Sequence, residues 1–552
     1  MTTLRFPPWI PSVLAAGIGL FALFFHPAML DPQNIGWLLR GTDNGENALG
    51  LHAWLNDPGR RGLVTHLLNA PDGVSILFTD SNPLWSVLTA PLAWTIGGGV
   101  QFIGLWYLLC LILHVGFARA LILPHARSGL SLWCGTLLLS LLPTLYVREL
   151  HANLCAHWLI LWALWLFVDA RRAGDWRQWL PLLILTTLIH NYLLLMVTAI
   201  WASAMLERIV AGNRSDGAPS RMRLAAGAGA SLACIILLLA LMVGSGGMLS
   251  TDTYGRFGMP IDAPWNPGFP ALSTFLPATL QAKNHQVESV QYLGLGILLA
   301  IILAIPITLR SPRIPSISVV QQRLLWLVPA GLALVILAVS HRVDFAGRTL
   351  VTLPIPLAML TLLDPIRASS RLFWPVAYAL ALFGILGVLR LSRKRADLLL
   401  TALLSLQVLD MLGTIRIVHA GSARAADRTI WQRTRDPRWA DAILKARDVT
   451  FMPAIATQDL HLFQEIAWRA IDAGRPMRLV YAARQNATTN DRLAREYKAF
   501  QAGRLQPNRL YVLLPQAKLP AGAETRLAVL DGVRVLLPTS ATKPGPAGWP
   551  MD

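Results

Sequence analysis

A polytopic helical membrane bundle with a soluble α/β domain at its C-terminal end is the fold class this sequence predicts. It is mainly α, with about 10–13 spans or half-spans. Three observations lead there. Of 552 residues, 54% are hydrophobic and 14% charged, where soluble globular proteins carry about 25% charged residues. The mean hydropathy is +0.49. Apolar runs approaching the roughly 20 residues that a bilayer-crossing helix needs recur along the first 415 positions. The charge density then changes: residues 416–552 hold 21 Lys+Arg and 12 Asp+Glu, a normal globular density. The composition excludes a purely soluble enzyme, a disordered chain and a fibrous protein.

The apolar runs lie near 9–29, 101–123, 128–147, 154–169, 178–206, 223–243, 292–309, 322–340, 371–390 and 396–415. Shorter pieces near 82–97 and 349–363 contain prolines and read as re-entrant or interfacial. The first run follows Arg5, is too long for a signal h-region and lacks a cleavage site. It reads as an uncleaved first span with its N-terminus inside.

The net charge of +18 belongs to cytoplasmic loops rather than to a nucleic-acid interface. Basic clusters at Arg119–Arg127, Arg171–Arg177, Arg208–Arg223, Arg310–Arg323 and Arg390–Arg395 orient the spans. Outside are then 30–81, the large first loop; 148–153; 244–291, the second large loop; 341–370; and the tail. This divides the chain into a membrane body, 1–415, and an extracytoplasmic α/β domain, 416–552. The run 178–206 starts and ends beside cytoplasmic clusters. Parity therefore requires two helices meeting at the outer side, near His190-Asn191-Tyr192.

In the tail, Asp448 to Ile455, Leu479 to Ala482 and Tyr511 to Leu514 read as strands. Asp459 to Ala473 and Arg492 to Phe500 read as helices. Val529 to Leu537 reads as a strand pair about Asp531-Gly532. The four cysteines all lie before the tail without CxxC spacing, which excludes a disulfide framework and a thiolate metal cluster.

Four polar constellations fall on the outer side, where ionisable groups near spans are functional candidates. In the first, Asp43 and Glu46 share a helical face and suit a metal or a general base. The competing reading is a capping box, with Thr42 or Asp43 as N-cap and Glu46 as its reciprocal partner. The same region carries His52 and then Asp80 in Phe78-Thr79-Asp80-Ser81-Asn82-Pro83, a ligand site or a cap before Pro83. In the second, Glu149, Asn153 and His157 recur at i,i+4, with His151 nearby. His157 reads equally as a hydrogen bond to a neighbouring helix. The third is His190 and Tyr192 at the proposed break, with helix-end capping as its alternative. In the fourth, Arg367 and Arg371 sit four apart beside Ser369 and Ser370, suited to a phosphate. Interfacial anchoring is the alternative there.

Phe78 through Pro83, Gln101 through Trp106, His151 through Leu159, His190-Asn191-Tyr192, Tyr292 through Gly296 and Arg367 through Pro375 resemble a bacterial family of multi-spanning membrane proteins. That family looks like the C-type (GT-C) glycosyltransferases. The resemblance implies a GT-C-like bundle of about a dozen helices with a large first extracytoplasmic loop. It implies sugar transfer from a polyprenyl-phosphate donor to a cell-envelope glycan or lipid acceptor, at the outer face of the bacterial inner membrane. Asp43 matches the acidic residue near the start of that loop; where a His often follows it, this chain has Asn47. On this expectation Asp43 and Glu46 are catalytic. His52, Asp80, Glu149, His151, His157, His190, Tyr192, Arg367 and Arg371 contact donor or acceptor. A divalent cation such as Mg or Mn is compatible with the resemblance without being required by it. The alternative functions are a transporter or flippase for a lipid-linked saccharide and a non-catalytic envelope-assembly protein.

Overall fold

The computed structural model describes residues 7, 9–149, 151–211, 221–243, 253–279, 287–311, 314–482 and 487–539. Arg5, Leu150, much of the 208–223 basic cluster, Arg313, part of the 244–291 loop and the end of the tail lie outside the described residues. The chain is mainly helical, with a small sheet in its C-terminal region. It divides into two compact units. One comprises Met1–His26, Leu105–Leu238 and Ser250–Ser422; the other comprises Pro27–Gly104, Leu239–Leu249 and Ala423–Asp552.

The apolar runs fold as helices. Among the described residues five helices are long and apolar enough to cross a membrane: Ile103–Ile122, Asn191–Val210, Met222–Met242, Pro315–Val339 and Ser369–Val388. A sixth is added if Arg393–Asp410 and Leu412–Ala426, bent by 50°, count as one span. Others are shorter than the runs suggested. Gly129–Ser140 stops because Pro143 opens a new helix three residues later. At 1.5 Å per residue its length is about 18 Å, short of the hydrocarbon thickness.

The long run 178–206 is broken where the parity argument places the break. Trp176–Ile189 ends at His190, whose backbone is extended. Its Nδ1 accepts the Tyr192 backbone N–H at 3.1 Å, capping the helix Asn191–Ala211. Within the bundle core Cys110, Cys134 and Cys155 are buried free thiols, used as small packing residues.

In the second unit the strand Asp448–Met452 runs parallel to Arg509–Leu513. Arg509–Leu513 pairs antiparallel with Val533–Leu536, which pairs with Leu527–Leu530. The last two strands meet at Asp531-Gly532, both with positive φ (47° and 78°), the conformation of a tight two-residue hairpin turn. The helices Leu460–Asp472 and Ala487–Gln501 lie in the connection between the parallel strands. The expected strand at Leu479 to Ala482 does not form; a single bridge joins Met477 to Val449.

The tail does not stand as a separate 416–552 domain. It shares its unit with the first loop. The Met477 N–H donates to the Leu67 carbonyl, and the Ala70 N–H donates to the Met477 carbonyl, both at 2.9 Å. Arg492 reaches the Asp72 carboxylate at 2.7 Å and Asn69 Oδ1 at 2.9 Å. The helix Asp43–Asn56 packs on Leu460–Asp472, with the His52 ring stacked 3.9 Å from Trp468.

Candidate functional site

In each unit the residues singled out from the sequence fall in a concentration of polar groups. In the loop–tail unit it forms at the start of the helix Asp43–Asn56. Thr42 is the N-cap, accepting from the Gly45 N–H at 3.3 Å. Glu46 is not its reciprocal partner. It is 1% exposed, and neither carboxylate oxygen has a hydrogen-bond partner among the described residues. The nearby Gln464 amide already donates to the Thr42 carbonyl at 2.8 Å and accepts from the Gly41 N–H at 2.9 Å. Burial, then the charges of Asp80 and Asp43, push the Glu46 carboxyl well above its usual range. Both effects favour its protonated form.

Asp43 and Asp80 are half-buried, with carboxylate oxygens within 4.8 Å of one another. The Tyr481 hydroxyl donates to Asp43, and burial followed by the three acidic neighbours keeps that phenol protonated. Asp80 is held by the 79–81 turn: Asn47 Nδ2 donates to the Asp80 carbonyl at 2.6 Å, and Ser81 Oγ to the Asn47 carbonyl at 3.0 Å. Asn82, the adjoining residue, caps the helix Pro83–Ile96. The turn approaches so closely that a Cβ on Gly50 would lie 2.0 Å from Thr79 Oγ1.

His52 is not beside this cluster's carboxylates through any recorded contact. It is buried, stacked on Trp468, with Nε2 at 2.7 Å from Asp472, and reads as packing between two helices.

In the helical unit the polar concentration gathers around Glu288, which the sequence reading did not single out. Glu288 Oε2 meets Arg148 Nη1 at 2.9 Å, and Oε1 meets His151 Nε2 at 3.0 Å. Arg371 Nε and Nη2 each reach the same carboxylate at 2.8 Å. Its backbone carbonyl accepts from Arg148 Nη2 and Ser370 Oγ, both at 2.5 Å. Burial opposes the ionised form of Glu288, but the Arg148 and Arg371 charges prevail and hold its carboxyl well below the usual range. Two guanidinium groups against one carboxylate leave one surplus positive charge.

Tyr192 completes this cluster. Its hydroxyl accepts the Ala368 N–H at 2.9 Å, and Arg371 lies 5.0 Å from its ring centroid.

Two expectations are corrected here. Arg367 and Arg371 do not share a helical face. Arg367 ends one 3-10 turn, Ala368 leaves helical geometry, and Arg371 belongs to a second turn, Ser369–Phe373. The Arg371 fork belongs to Glu288, whereas Arg367 is half-buried and makes no ion pair recorded among the described residues. Residues 148–157 are not one helix either, so the i,i+4 relation among Glu149, Asn153 and His157 does not hold; only Ala152–Cys155 forms a 3-10 turn. Glu149 turns toward Gly421, and His157 is fully buried with Nδ1 at 2.8 Å from the Tyr378 hydroxyl.

Residues 14–412 match the family described as a domain of unknown function, DUF6311, and residues 438–538 match the DUF6311 C-terminal domain. The chain belongs to the DUF6311 family. No curated protein and no solved structure matches it.

The two carboxylates of this DUF6311 chain suit a hard divalent cation, which takes oxygen ligands. Asp43 and Asp80 would hold it. In the helical unit an apolar groove of about 370 Å³ runs between Asn191–Ala211, Pro315–Val339 and Trp374–Val388. Ile200, Leu324, Val335, Val376 and Phe383 line it. Pro375, one helical turn beyond Arg371, also lines it.

Glu288 was missed because it sits in a loop without periodicity and its partners come from distant stretches.

Proposed function

We propose that this protein is a GT-C-like glycosyltransferase of the bacterial inner membrane. It transfers sugar from a polyprenyl-phosphate donor to a cell-envelope glycan or lipid acceptor, with the loop–tail unit on the extracytoplasmic side. The observation that carries this reading is the Asp43 carboxylate, half-exposed, oriented by Tyr481 and close to the buried Glu46. The basic clusters beside the spans are cytoplasmic by the positive-inside rule, which favours the extracytoplasmic side for this unit.

The acceptor hydroxyl oxygen attacks the anomeric carbon, and its proton passes to Asp43. The bond from that carbon to the phosphate oxygen breaks, and the electron pair leaves with the lipid phosphate. A cation at Asp43 and Asp80 would supply charge stabilisation to that leaving group. Tyr481 fixes the direction of the Asp43 carboxylate. In the helical unit, taken alone, the surplus positive charge of the Arg148–Arg371–Glu288 cluster suits an anionic phosphate, and the apolar groove suits a lipid chain.

Lipid-linked glycan profiling of a deletion strain against an Asp43→Asn strain tests this. Both should accumulate the same unused donor. A normal profile with well-expressed Asp43→Asn protein sinks the reading. A lipid-linked saccharide transporter is the second reading, favoured by the helix break at His190 and the 50° bend after Asp410. It predicts that Asp43→Asn leaves the glycan profile intact.

A further inference from the structure

We infer that the segment from Arg342 to Leu363 is an interfacial foot, a hairpin and short helix that lie among anionic phospholipid headgroups. The inference rests on the membrane reading proposed above and on none of its chemistry. The strand Arg342–Phe345 pairs with Arg348–Thr352 through a turn at Ala346-Gly347. All five residues of the second strand are exposed, Leu350 by 61%. The helix Leu357–Leu363 buries no residue, and Leu362 is 75% exposed. Phe345, Val351, Leu353 and Met359 are also exposed, between 40% and 50%. So many exposed large apolar side chains in one short segment mark an interaction surface.

The place of this segment in the chain identifies its partner. It leaves the candidate span Pro315–Val339 and returns at Ser369–Val388. Both its ends are therefore tied to the same face of the bilayer. Leu332 and Ile336 of the preceding span are likewise exposed, 58% and 69%, as side chains that meet lipid would be. Between Phe345 and Leu363 the one charged residue is Arg348, which is exposed, and no carboxylate intervenes. Arg342 is engaged by Thr349 and Asp344 within the hairpin, leaving Arg348 for a lipid phosphate. Apolar side chains around one cation match an anionic headgroup layer.

The test uses the full chain reconstituted in phosphatidylcholine vesicles with and without phosphatidylglycerol. On a Cys234→Ser background the remaining cysteines are buried. Environment-sensitive fluorophores are placed singly through Leu350→Cys, Leu362→Cys, Ile336→Cys and Lys518→Cys. The foot predicts blue-shifted emission at 350 and 362, quenched more by nitroxide near the headgroup than by nitroxide deep in the chains. Ile336→Cys should be quenched by deep nitroxide, and Lys518→Cys by aqueous iodide alone. Omitting phosphatidylglycerol, or adding Arg348→Glu, should weaken the shallow quenching. Iodide access at 350 and 362 equal to that at 518 overturns the proposal, as does deeper quenching there than at the headgroup. Quenching indifferent to phosphatidylglycerol overturns its anionic part. No lipid quenching at Ile336→Cys instead sinks the membrane reading.

Discussion

Glu288 takes the Arg371 guanidinium in a fork, Nε to Oε2 and Nη2 to Oε1, each at 2.8 Å. The same carboxylate holds Arg148, which is 1% exposed. Removing the charge leaves two buried cations without their counter-ion. Glu288→Gln should therefore cost about 3–5 kcal/mol of stability, seen as a large fall in thermal midpoint. The pH sense follows from the lowered carboxyl. Its stabilisation is full above the ordinary carboxylate range and is lost as pH falls through that range toward the depressed folded value. Wild type should lose stability on acidification more steeply than Glu288→Gln; parallel curves would contradict the assignment.

Arg367 and Arg371 now separate. Lysine cannot reproduce a bidentate fork, so Arg371→Lys should lower the thermal midpoint through Glu288 before any donor is added. Arg367 makes no such pair, so Arg367→Ala should leave the midpoint nearly unchanged. If Arg367 meets the lipid phosphate, the variant should instead raise the donor KM by about tenfold or more, matching a lost charge-assisted hydrogen bond of about 1.5–3 kcal/mol. An unaltered donor KM in a stable Arg367→Ala protein assigns Arg367 to anchoring.

How much of this was legible in the sequence depends on the range of the contact. The His190 break, the Asn82 cap and the Asp531-Gly532 hairpin are local, written in residues that are neighbours in the chain, and each was readable. The Arg367–Arg371 relation is also local, but its reading assumed a continuous helix that Ala368 interrupts. Glu288 and Tyr481 were not readable, because their roles come from residues far away in the chain, 83 and 140 positions for Arg371 and Arg148. The joining of the first loop to the tail was hidden for the same reason. Its hydrogen bonds run between backbone groups at Leu67, Ala70 and Met477, which carry no side-chain signature.

Glu46 should reveal its neutral state through pH. Its folded carboxyl is raised, so the stability it contributes is full below the unfolded value of about 4.5 and is lost as pH rises toward the folded value. Glu46→Gln keeps the shape and the neutral charge. Its thermal midpoint relative to wild type should therefore climb as pH is raised above about 4.5. A difference independent of pH would mean that Glu46 is ionised or solvated in the folded protein. Activity should survive Glu46→Gln and fall by about 10²–10⁴ in Asp43→Asn, if Asp43 alone is the base. Equal loss in both would point instead to a shared cation.

Gly50 controls the distance between the two carboxylates. It lies two turns along the helix that begins at Asp43, against the turn that carries Asp80. A Cβ there would stand 2.0 Å from Thr79 Oγ1 and 2.6 Å from Ser81 Oγ. Both hydroxyls belong to the hydrogen-bonded turn, Thr79 Oγ1 to Ser81 Oγ at 3.0 Å and Ser81 Oγ to the Asn47 carbonyl at 3.0 Å. Gly50→Ala must therefore push the turn away from the helix, and Asp80 moves with it. Alanine favours the helix by about 1 kcal/mol over glycine, which offsets part of the strain. The net stability change should be small beside the change in the site. Activity should fall by about tenfold or more, as expected when a binding group is displaced by about 1 Å. If a cation joins Asp43 and Asp80, its affinity should fall in parallel, readable by calorimetry with Mn. The double variant Gly50→Ala, Thr79→Ser removes the Thr79 methyl but keeps the clashing hydroxyl, so it should not restore activity. Thr79→Ala, Ser81→Ala in the Gly50→Ala background removes both obstructing oxygens and should recover part of it. Full activity in Gly50→Ala alone would show that the spacing between Asp43 and Asp80 does not matter.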